Sequence, residues 1–486
     1  MTGALGRDLH AALSQAQRAG PGTRLHRAPS SIEGSDGARL AAEDVLSRAE
    51  TLARTLIGAH IAPSEPVLCQ IGNEPHALAV LLGTWLAGGV AVPLHAAAAP
   101  TTVDEVRRAT GARLSIIGAK LEQISREQAP ARDLLRDAAL IVFTSGSTGR
   151  PKGVVLAHER LMGKLKVLER LLQFTPDDTV VVPLQLGFIF GIWVSLLSIL
   201  SGARLQLVAK FSAEAVGARL AQGASVLAVV PTMLRALLAA MEAPAAPQLR
   251  TLLTGGESLG HQLNTRLRRA FAHTSIYDLY GLTETGSCDF CLPASEFAAG
   301  MGSIGTPTEG VSYRIVDATG APAKPGAAGE LLIKTPFGML GYLDDPALSA
   351  ASYVDGFLRS GDQARLNADG RVEIVGRLKE IISRGGNKIA PAEIDALLLR
   401  HPQVTGALCA GIPDPRLGEV VGAMVTLLPG SRLTGEELRS WALGEIEKFK
   451  VPEIIAICDA LPTGSTGKLS RAAVARRLAA APRSKS

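Results

Sequence analysis

The sequence predicts an α/β fold in which a large N-terminal part of mostly parallel sheets with covering helices leads to a small antiparallel barrel or sheet and then a small α+β unit. Three observations predict it. Apolar strand candidates alternate with helical segments from about residue 40 to residue 310. After Gly310 the texture changes to short strands and turns, as in VSYRIVDATG, GELLIK and GRVEIVGRLKEIISRGG. From about residue 380 onward, helical and strand signals recur over a length that suits one small unit.

The strands of the first part are expected at Pro66 to Ile71, Gly89 to Leu94, Leu140 to Phe143, Thr179 to Leu184, Arg204 to Val208, Val226 to Val230 and Leu249 to Leu253. Leu140 to Phe143 is followed by a glycine and hydroxyl-rich loop and then by Leu161, Leu165, Leu168 and Leu172 at helical spacing, so the loop is read as a strand-to-helix connection. In the last unit EIDALLLR reads as a helix, GALCAGI and VVGAMVTLL as strands, and TGEELRSWALGEI as a helix with Thr434 as its N-cap. Internal repeats are not evident.

Composition narrows the function classes. A chain of 486 residues with 47% hydrophobic and 20% charged residues has the profile of a folded protein of two or three domains. Its net charge of +5 is small, and lysine and arginine are spread along the chain, so no nucleic-acid partner is expected. Nothing in it fixes an oligomeric state. Thr179 to Ala203 carries no charge over 25 residues, but Pro183, Gln185, Gly187 and Gly191 interrupt it and no basic cluster flanks it. It is read as a buried strand and helix, not a transmembrane span. The five cysteines are odd in number and scattered, and the N-terminus has no apolar signal segment, which together imply a reducing, cytoplasmic setting. Cys288 and Cys291 lack the second pair or histidine cluster of a zinc site, so core or pocket lining is expected of them.

The chemistry concentrates in the loop TSGSTGRPKG. Thr144, Ser145, Ser147 and Thr148 offer hydroxyl donors, Gly146, Gly149 and Gly153 let backbone N–H groups approach an anion, and Lys152 adds a mobile positive charge. This is a phosphate-holding composition. It is not the P-loop of nucleotide triphosphatases, because Lys152 follows Pro151 and precedes Gly153, leaving no hydroxyl where that motif puts one. Four further motifs follow: Gly255-Gly256-Glu257 after an apolar strand, Asp278 through Glu284 as DLYGLTE, Ser360-Gly361-Asp362 in a turn, and Gly376 through Glu380 as GRLKE. Taken singly, they read as turns and solvated charged faces. Together and in this order, each suits one part of a nucleotide.

On TSGSTGRPKG, GGES, YGLTET, SGD, GRLKEIISRGGNKIAP and PTGSTGKLSR, from about Ala42 to Arg471, the chain resembles the adenylate-forming superfamily of acyl- and aryl-CoA synthetases, peptide-synthetase adenylation domains and luciferases. The resemblance implies an N-terminal adenylation domain at 1–376 with a small β-barrel subdomain, a hinge at 377–379 and a small mobile C-terminal domain at 380–486. It implies ATP-dependent activation of a carboxylic acid to an acyl-adenylate with release of pyrophosphate, then transfer to a thiol. The thiol is that of CoA or, alternatively, the phosphopantetheine of an acyl carrier protein.

The same resemblance assigns the residues. Thr144, Ser145, Gly146, Ser147, Thr148, Gly149 and Lys152 would hold the β- and γ-phosphates, Thr283 the α-phosphate, and Glu284 a Mg2+ ion. Tyr280 would stack on adenine against Gly255, Gly256 and Glu257, with Gly281 beside it and Asp278 taking the exocyclic amine, while Asp362 and Arg377 bind the ribose. Lys468 would be catalytic, with Thr283 and Glu284, by neutralising charge in the transition state, and losing such a donor costs ~10²–10³ in rate. Lys379 would be the hinge, with Gly385 and Gly386 in the loop that the rotation brings to the CoA side.

The acid is expected to be apolar. PLQLGFIFGIW carries no aspartate for a substrate ammonium, and it has Phe188 where many relatives have histidine. Phe188, Ile189, Gly191, Ile192 and Cys288 suggest a pocket for an aryl or medium-chain acyl tail.

Overall fold

The computed structural model describes residues 31–34, 39–125, 127, 130–145, 151–241, 243–463 and 469–480. Two large sheets carry the first part. One has nine strands, in the order Thr306–Pro307, Phe290–Leu292, Ser275–Tyr280, Thr251–Gly255, Val226–Val229, Thr179–Val182, Arg204–Leu207, Ile32–Glu33 and Arg39–Leu40. The pairings between Ser275–Tyr280 and Ile32–Glu33 are parallel, and antiparallel strands close both edges. The other has seven, in the order Gly341–Tyr342, Pro151–Ala157, Ala138–Ser145, Val90–His95, Pro66–Ile71, Leu114–Ile117 and Lys120–Gln123.

Continuous burial explains the apolar runs. Val180, Val182, Leu205, Leu207, Val226 and Ala228 belong to one core with Val67, Ala91, Leu140 and Val142, so helices packed between the two sheets touch both. The uncharged stretch resolves into the Thr179–Val182 strand and the Ile189–Leu200 helix, whose Trp193 and Leu197 are fully buried. Among the described residues no helix is long and apolar enough to cross a membrane.

Three expectations need correction. The glycine-rich loop does not lead into a helix: it turns a β-hairpin, because Pro151–Ala157 pairs antiparallel with Ala138–Ser145 before the His158–Leu172 helix begins. The register sets Thr144 opposite Lys152 and Ser145 opposite Pro151, and the short apolar run VVLA is the buried strand that helical spacing concealed. Secondly, the part after Gly310 is not a closed barrel. Ser312–Val316, Gly329–Lys334, Phe357–Leu366 and Tyr353–Val354 form an antiparallel sheet in that order, with Val372–Arg377 paired to the long strand Phe357–Leu366. Thirdly, strand ends shift, most at Leu249 to Leu253, which is Thr251–Gly255. Residues 382–480 hold a further sheet of five strands with helices Pro391–Leu398, Gly435–Leu443 and Arg471–Ala480. Thr434 does cap its helix, accepting from Glu437 N at 3.2 Å while Glu437 Oε2 accepts from Thr434 N at 2.8 Å.

One buried ion pair joins the two large sheets. Lys164, on the helix that follows the hairpin, is 0% exposed, and its Nζ lies 3.3 Å from Asp289 Oδ1 and donates to Cys288 O at 3.1 Å. Asp289 Oδ2 accepts from Thr285 Oγ1, so the pair fixes the turn from Leu282 to Asp289 against the helix. Burial raises the Asp289 carboxyl above the usual range, and Lys164 opposes that rise. Replacing Lys164 alone leaves a buried charge unpaired. Lys164→Met is expected to cost about 3–5 kcal/mol in thermal or denaturant unfolding, and Lys164→Met with Asp289→Asn to recover a measurable part of it.

Candidate nucleotide and acid site

The motifs converge at the C-terminal ends of the parallel strands, where an open α/β sheet places its ligands. Thr251–Gly255 and Ser275–Tyr280 are adjacent parallel strands, with Thr254 opposite Asp278 and Gly255 opposite Leu279. A Cβ on Gly255 would lie 2.3 Å from Leu279 O, and one on Gly281 would lie 2.3 Å from Cys288 N. Only glycine allows that approach of backbone to backbone. Gly256 has φ +84°, and Glu257 turns aside: its Oε2 accepts from Thr232 Oγ1 at 2.6 Å and faces Arg235 at 3.5 Å. Its buried Oε1 takes no hydrogen bond among the described residues.

Tyr280 and Asp362 come together as the nucleotide reading requires. The Tyr280 hydroxyl donates to Asp362 Oδ2 at 2.6 Å, and the ring meets Phe290 edge-on at 5.9 Å. Asp362, 1% exposed, sits opposite Arg377 in the strand pairing, with Arg377 Nε 2.9 Å from its Oδ1. That Oδ1 accepts no aligned hydrogen bond, so a lone pair remains for a ligand hydroxyl. Burial raises the Asp362 carboxyl, while Arg377 and Tyr280 pull it back. Asp278 lacks such a cation. Burial pushes its carboxyl from 3.8 up to about 8, against one backbone hydrogen bond from Leu279.

Thr144 and Lys152 face each other at the end of the strand pair next to the connecting residues. Gly146, Ser147, Thr148 and Gly149 lie outside the described residues, as does Lys468, and of Ser145 only the strand position is described. Lys152 Nζ stands 5.5 Å over the Tyr342 ring, and the Tyr342 hydroxyl donates to Glu284 Oε1 at 3.0 Å. Glu284 and Thr283 occupy the short 3₁₀ turn Thr283–Thr285, and both are half-buried. Sequence reasoning missed Tyr342, Lys164, Asp289 and Thr232. A lysine inside the Leu161, Leu165, Leu168 stripe and an aromatic in the run GYLDDP were the signals available.

The expected acid pocket is only partly open. Phe188 is half-buried at the N-cap of the Ile189–Leu200 helix, with Phe190 stacked on Trp193 at 5.3 Å. Ile192, Ile189 and Cys288 are 0%, 6% and 1% exposed and belong to the main core. Gly191 packs on the chain itself, since a Cβ there would lie 2.5 Å from Gln185 O. Lys379 is exposed in the 3₁₀ turn Leu378–Glu380, and Gly385 and Gly386 are exposed with φ of +53° and +87°.

The chain is similar to known proteins over most of its length. Residues 22–136 and 120–343 match the AMP-binding enzyme family, and 393–468 match the AMP-binding enzyme C-terminal domain. A feruloyl-CoA synthase from an Amycolatopsis species is 32% identical over 467 residues, covering 91% of this chain and 94% of that protein. A sulfoacetate–CoA ligase from Cupriavidus necator is 30% identical, covering 87% and 89%. In fold, a benzoate CoA ligase from Burkholderia xenovorans superposes with a TM-score of 0.83 at 22% identity, over 96% of this chain and 99% of that one. The fold and the assembled motifs are those of the adenylate-forming superfamily. Within it, this chain belongs to the family of AMP-binding enzymes.

Two outcomes follow from the geometry. Asp362→Ala is expected to weaken ATP binding about 10–100-fold in calorimetry, the worth of hydrogen bonds to a charged acceptor. The raised Asp278 carboxyl holds its proton more tightly in the folded protein than in the unfolded chain, so its contribution to stability falls as pH rises from 3.8 to about 8. Asp278→Asn is expected to flatten the fall of thermal stability between pH 6 and 8, measured as a Tm series.

Proposed function

We propose that this chain activates an aryl or other apolar carboxylic acid with ATP and transfers the acyl group to the thiol of CoA, as an AMP-forming acid–thiol ligase. The observation that carries the reading is a pair of contact groups: Lys152 and Glu284 both meet Tyr342, and Tyr280 donates to the buried Asp362. Their chemistry suits a nucleoside triphosphate: cation and hydroxyls for the phosphates, an aromatic ring for the base, an acid for the sugar.

In the first step a carboxylate oxygen attacks the α-phosphorus, the bond to the pyrophosphate oxygen breaks, and an acyl-adenylate remains. An anion attacking a polyanion needs positive charge placed in advance. Thr144, Ser145, Lys152 and the loop between them would hold the β- and γ-phosphates, Thr283 the α-phosphate, and Lys468 the charge developing between carboxylate and phosphate. Among the described residues no cluster of three or more His, Cys, Asp or Glu could hold a metal alone, so a divalent cation would be shared between Glu284 and phosphate oxygens. That donor set suits Mg2+, which when bound would screen the phosphate charge. Tyr280 with Gly255 and Gly256 would hold adenine, Asp278 its amine, and Asp362 with Arg377 the ribose.

In the second step the CoA sulfur attacks the acyl carbonyl and AMP leaves, while the thiol proton passes to solvent. Rotation of the C-terminal part about Lys379 would withdraw Lys468 and present Gly385 and Gly386 to the incoming thiol. The relatives reported above are CoA ligases, which is why CoA is preferred to a carrier protein. An aryl or other apolar acid is supported by the half-buried Phe188 and Phe190 at the start of a helix without charged residues. A cytoplasmic setting, where ATP and CoA are available, accords with five free thiols.

Pyrophosphate release across a panel of carboxylic acids, each with and without CoA, tests the reading. Release is expected with an aryl or medium-chain acid, with sustained turnover only when CoA is present. In Lys468→Ala it should fall ~10²–10³-fold. Release independent of every acid would refute the reading, and a single turnover that CoA does not relieve would move the acceptor to a carrier protein.

A further inference from the structure

Tyr342 touches both charged groups that the phosphate end of the site depends on, and no part of the nucleotide reading uses it. Its hydroxyl donates to Glu284 Oε1 at 3.0 Å, and its ring lies under Lys152 Nζ at 5.5 Å. Among the described residues Lys152 and Glu284 form no direct ion pair, and each of them meets Tyr342. Two opposite charges at the mouth of a partly buried site would otherwise close on one another, since the attraction is strong at low dielectric. Such a pair would neutralise both groups that phosphate and cation need.

The ring is held firmly enough for this role. Gly341–Tyr342 pairs antiparallel with Pro151–Ala157, with Tyr342 opposite Val154. Lys152 is two residues from Val154 on that strand, so its side chain leaves from the same face, diagonally across from Tyr342. The segment before Tyr342 is fixed by Leu340 N to Val155 O at 2.8 Å, Met339 N to Glu284 O at 2.7 Å, and Arg160 donating to the carbonyls of Gly338 and Met339 at 2.8 and 2.7 Å. Beyond it, Leu343 N bonds Gly153 O at 2.8 Å, and Tyr342 N bonds Ser349 Oγ at 2.8 Å. Tyr342 itself is 8% exposed. The hairpin strand, the Glu284 turn and the tyrosine are therefore one rigid piece.

We propose that Tyr342 is a positioning residue: its ring separates Lys152 from Glu284, and its hydroxyl orients the Glu284 carboxylate so that the other oxygen faces a nucleotide-bound divalent cation. This rests on the reading of Glu284 given above. The two parts of the side chain have different duties, which makes them separable. Tyr342→Phe keeps the spacer and loses the orienting hydrogen bond. Tyr342→Leu loses both.

The decisive experiment measures binding apart from turnover: Mn2+ affinity in the presence of ATP by electron paramagnetic resonance, and metal-free ATP affinity by calorimetry. In Tyr342→Phe the Mn2+ dissociation constant is expected to rise about tenfold, the worth of one charge-assisted hydrogen bond, with metal-free ATP binding unchanged within about twofold. In Tyr342→Leu both are expected to weaken by about tenfold or more, because the direct ion pair competes with phosphate for Lys152. Wild-type Mn2+ affinity retained in Tyr342→Phe, or equal losses of metal and metal-free binding in that variant, would overturn the proposal. A wild-type protein whose ATP recruits no Mn2+ would instead overturn the assignment of Glu284 on which it rests.

Discussion

The site depends first on the Lys164–Asp289 pair. Its two members come from different sheets: Lys164 from the helix after the seven-stranded sheet's hairpin, Asp289 from the turn that leaves the nine-stranded sheet. A charge pair at 0% exposure is a poor way to gain stability, because desolvation offsets most of its attraction. What it supplies is direction. Lys164 also donates to Cys288 O, and Asp289 also accepts from Thr285, so the turn bearing Thr283 and Glu284 is fixed in angle as well as position. An apolar contact in its place could slide. The hairpin strand Pro151–Ala157 and the Glu284 carboxylate are thereby kept in one frame although 130 residues of chain separate Val154 from Glu284.

Asp362 plays the corresponding part at the proposed sugar end. It sits in the antiparallel sheet, accepts from a tyrosine of the nine-stranded sheet, and pairs with an arginine at the end of the strand that leads to the C-terminal part. Burial makes its carboxylate expensive, and two partners reduce the expense without exhausting its acceptors. An acid held in this way is preorganised for paired hydroxyls, since it need not shed water or rotate to receive them.

Much of this was legible in the sequence, for a definable reason. Gly255, Gly281, Asp362 and Glu284 are read from motifs because ligand and backbone geometry leave few substitutes, and the alternation of strands and helices showed the α/β class directly. The hairpin was not legible. Pro151 to Ala157 is a short apolar run beside a helix, and period alone cannot separate a buried strand from a helical turn. The antiparallel part likewise gave strands and turns but not closure, which depends on whether its first and last strands pair. Lys164 escaped because a lysine on an apolar stripe is ordinarily a solvated neighbour, and its partner lies 125 residues away. For Ile192 and Cys288 the sequence leaves pocket wall and core equally open, because apolar composition does not distinguish the two.

The proposed hinge follows from the same logic of fixed and unfixed charges. On one side, Arg377 is tied to Asp362 across 2.9 Å. On the other, Glu380 accepts from Arg471 Nε at 2.8 Å, and Arg471 also pairs with Asp395 at 2.7 Å and donates to Cys409 O at 2.7 Å. Asp395 and Cys409 belong to the helix and strand of the C-terminal sheet, so Glu380 moves with that part. Between the two anchors stand Leu378 and Lys379, both exposed and neither with an ion-pair partner among the described residues. A rotation that left both anchors intact would have to be absorbed by the backbone of these two residues. That is a small enough segment for the proposed rotation to have two defined end positions, because few torsions are free to blur either one.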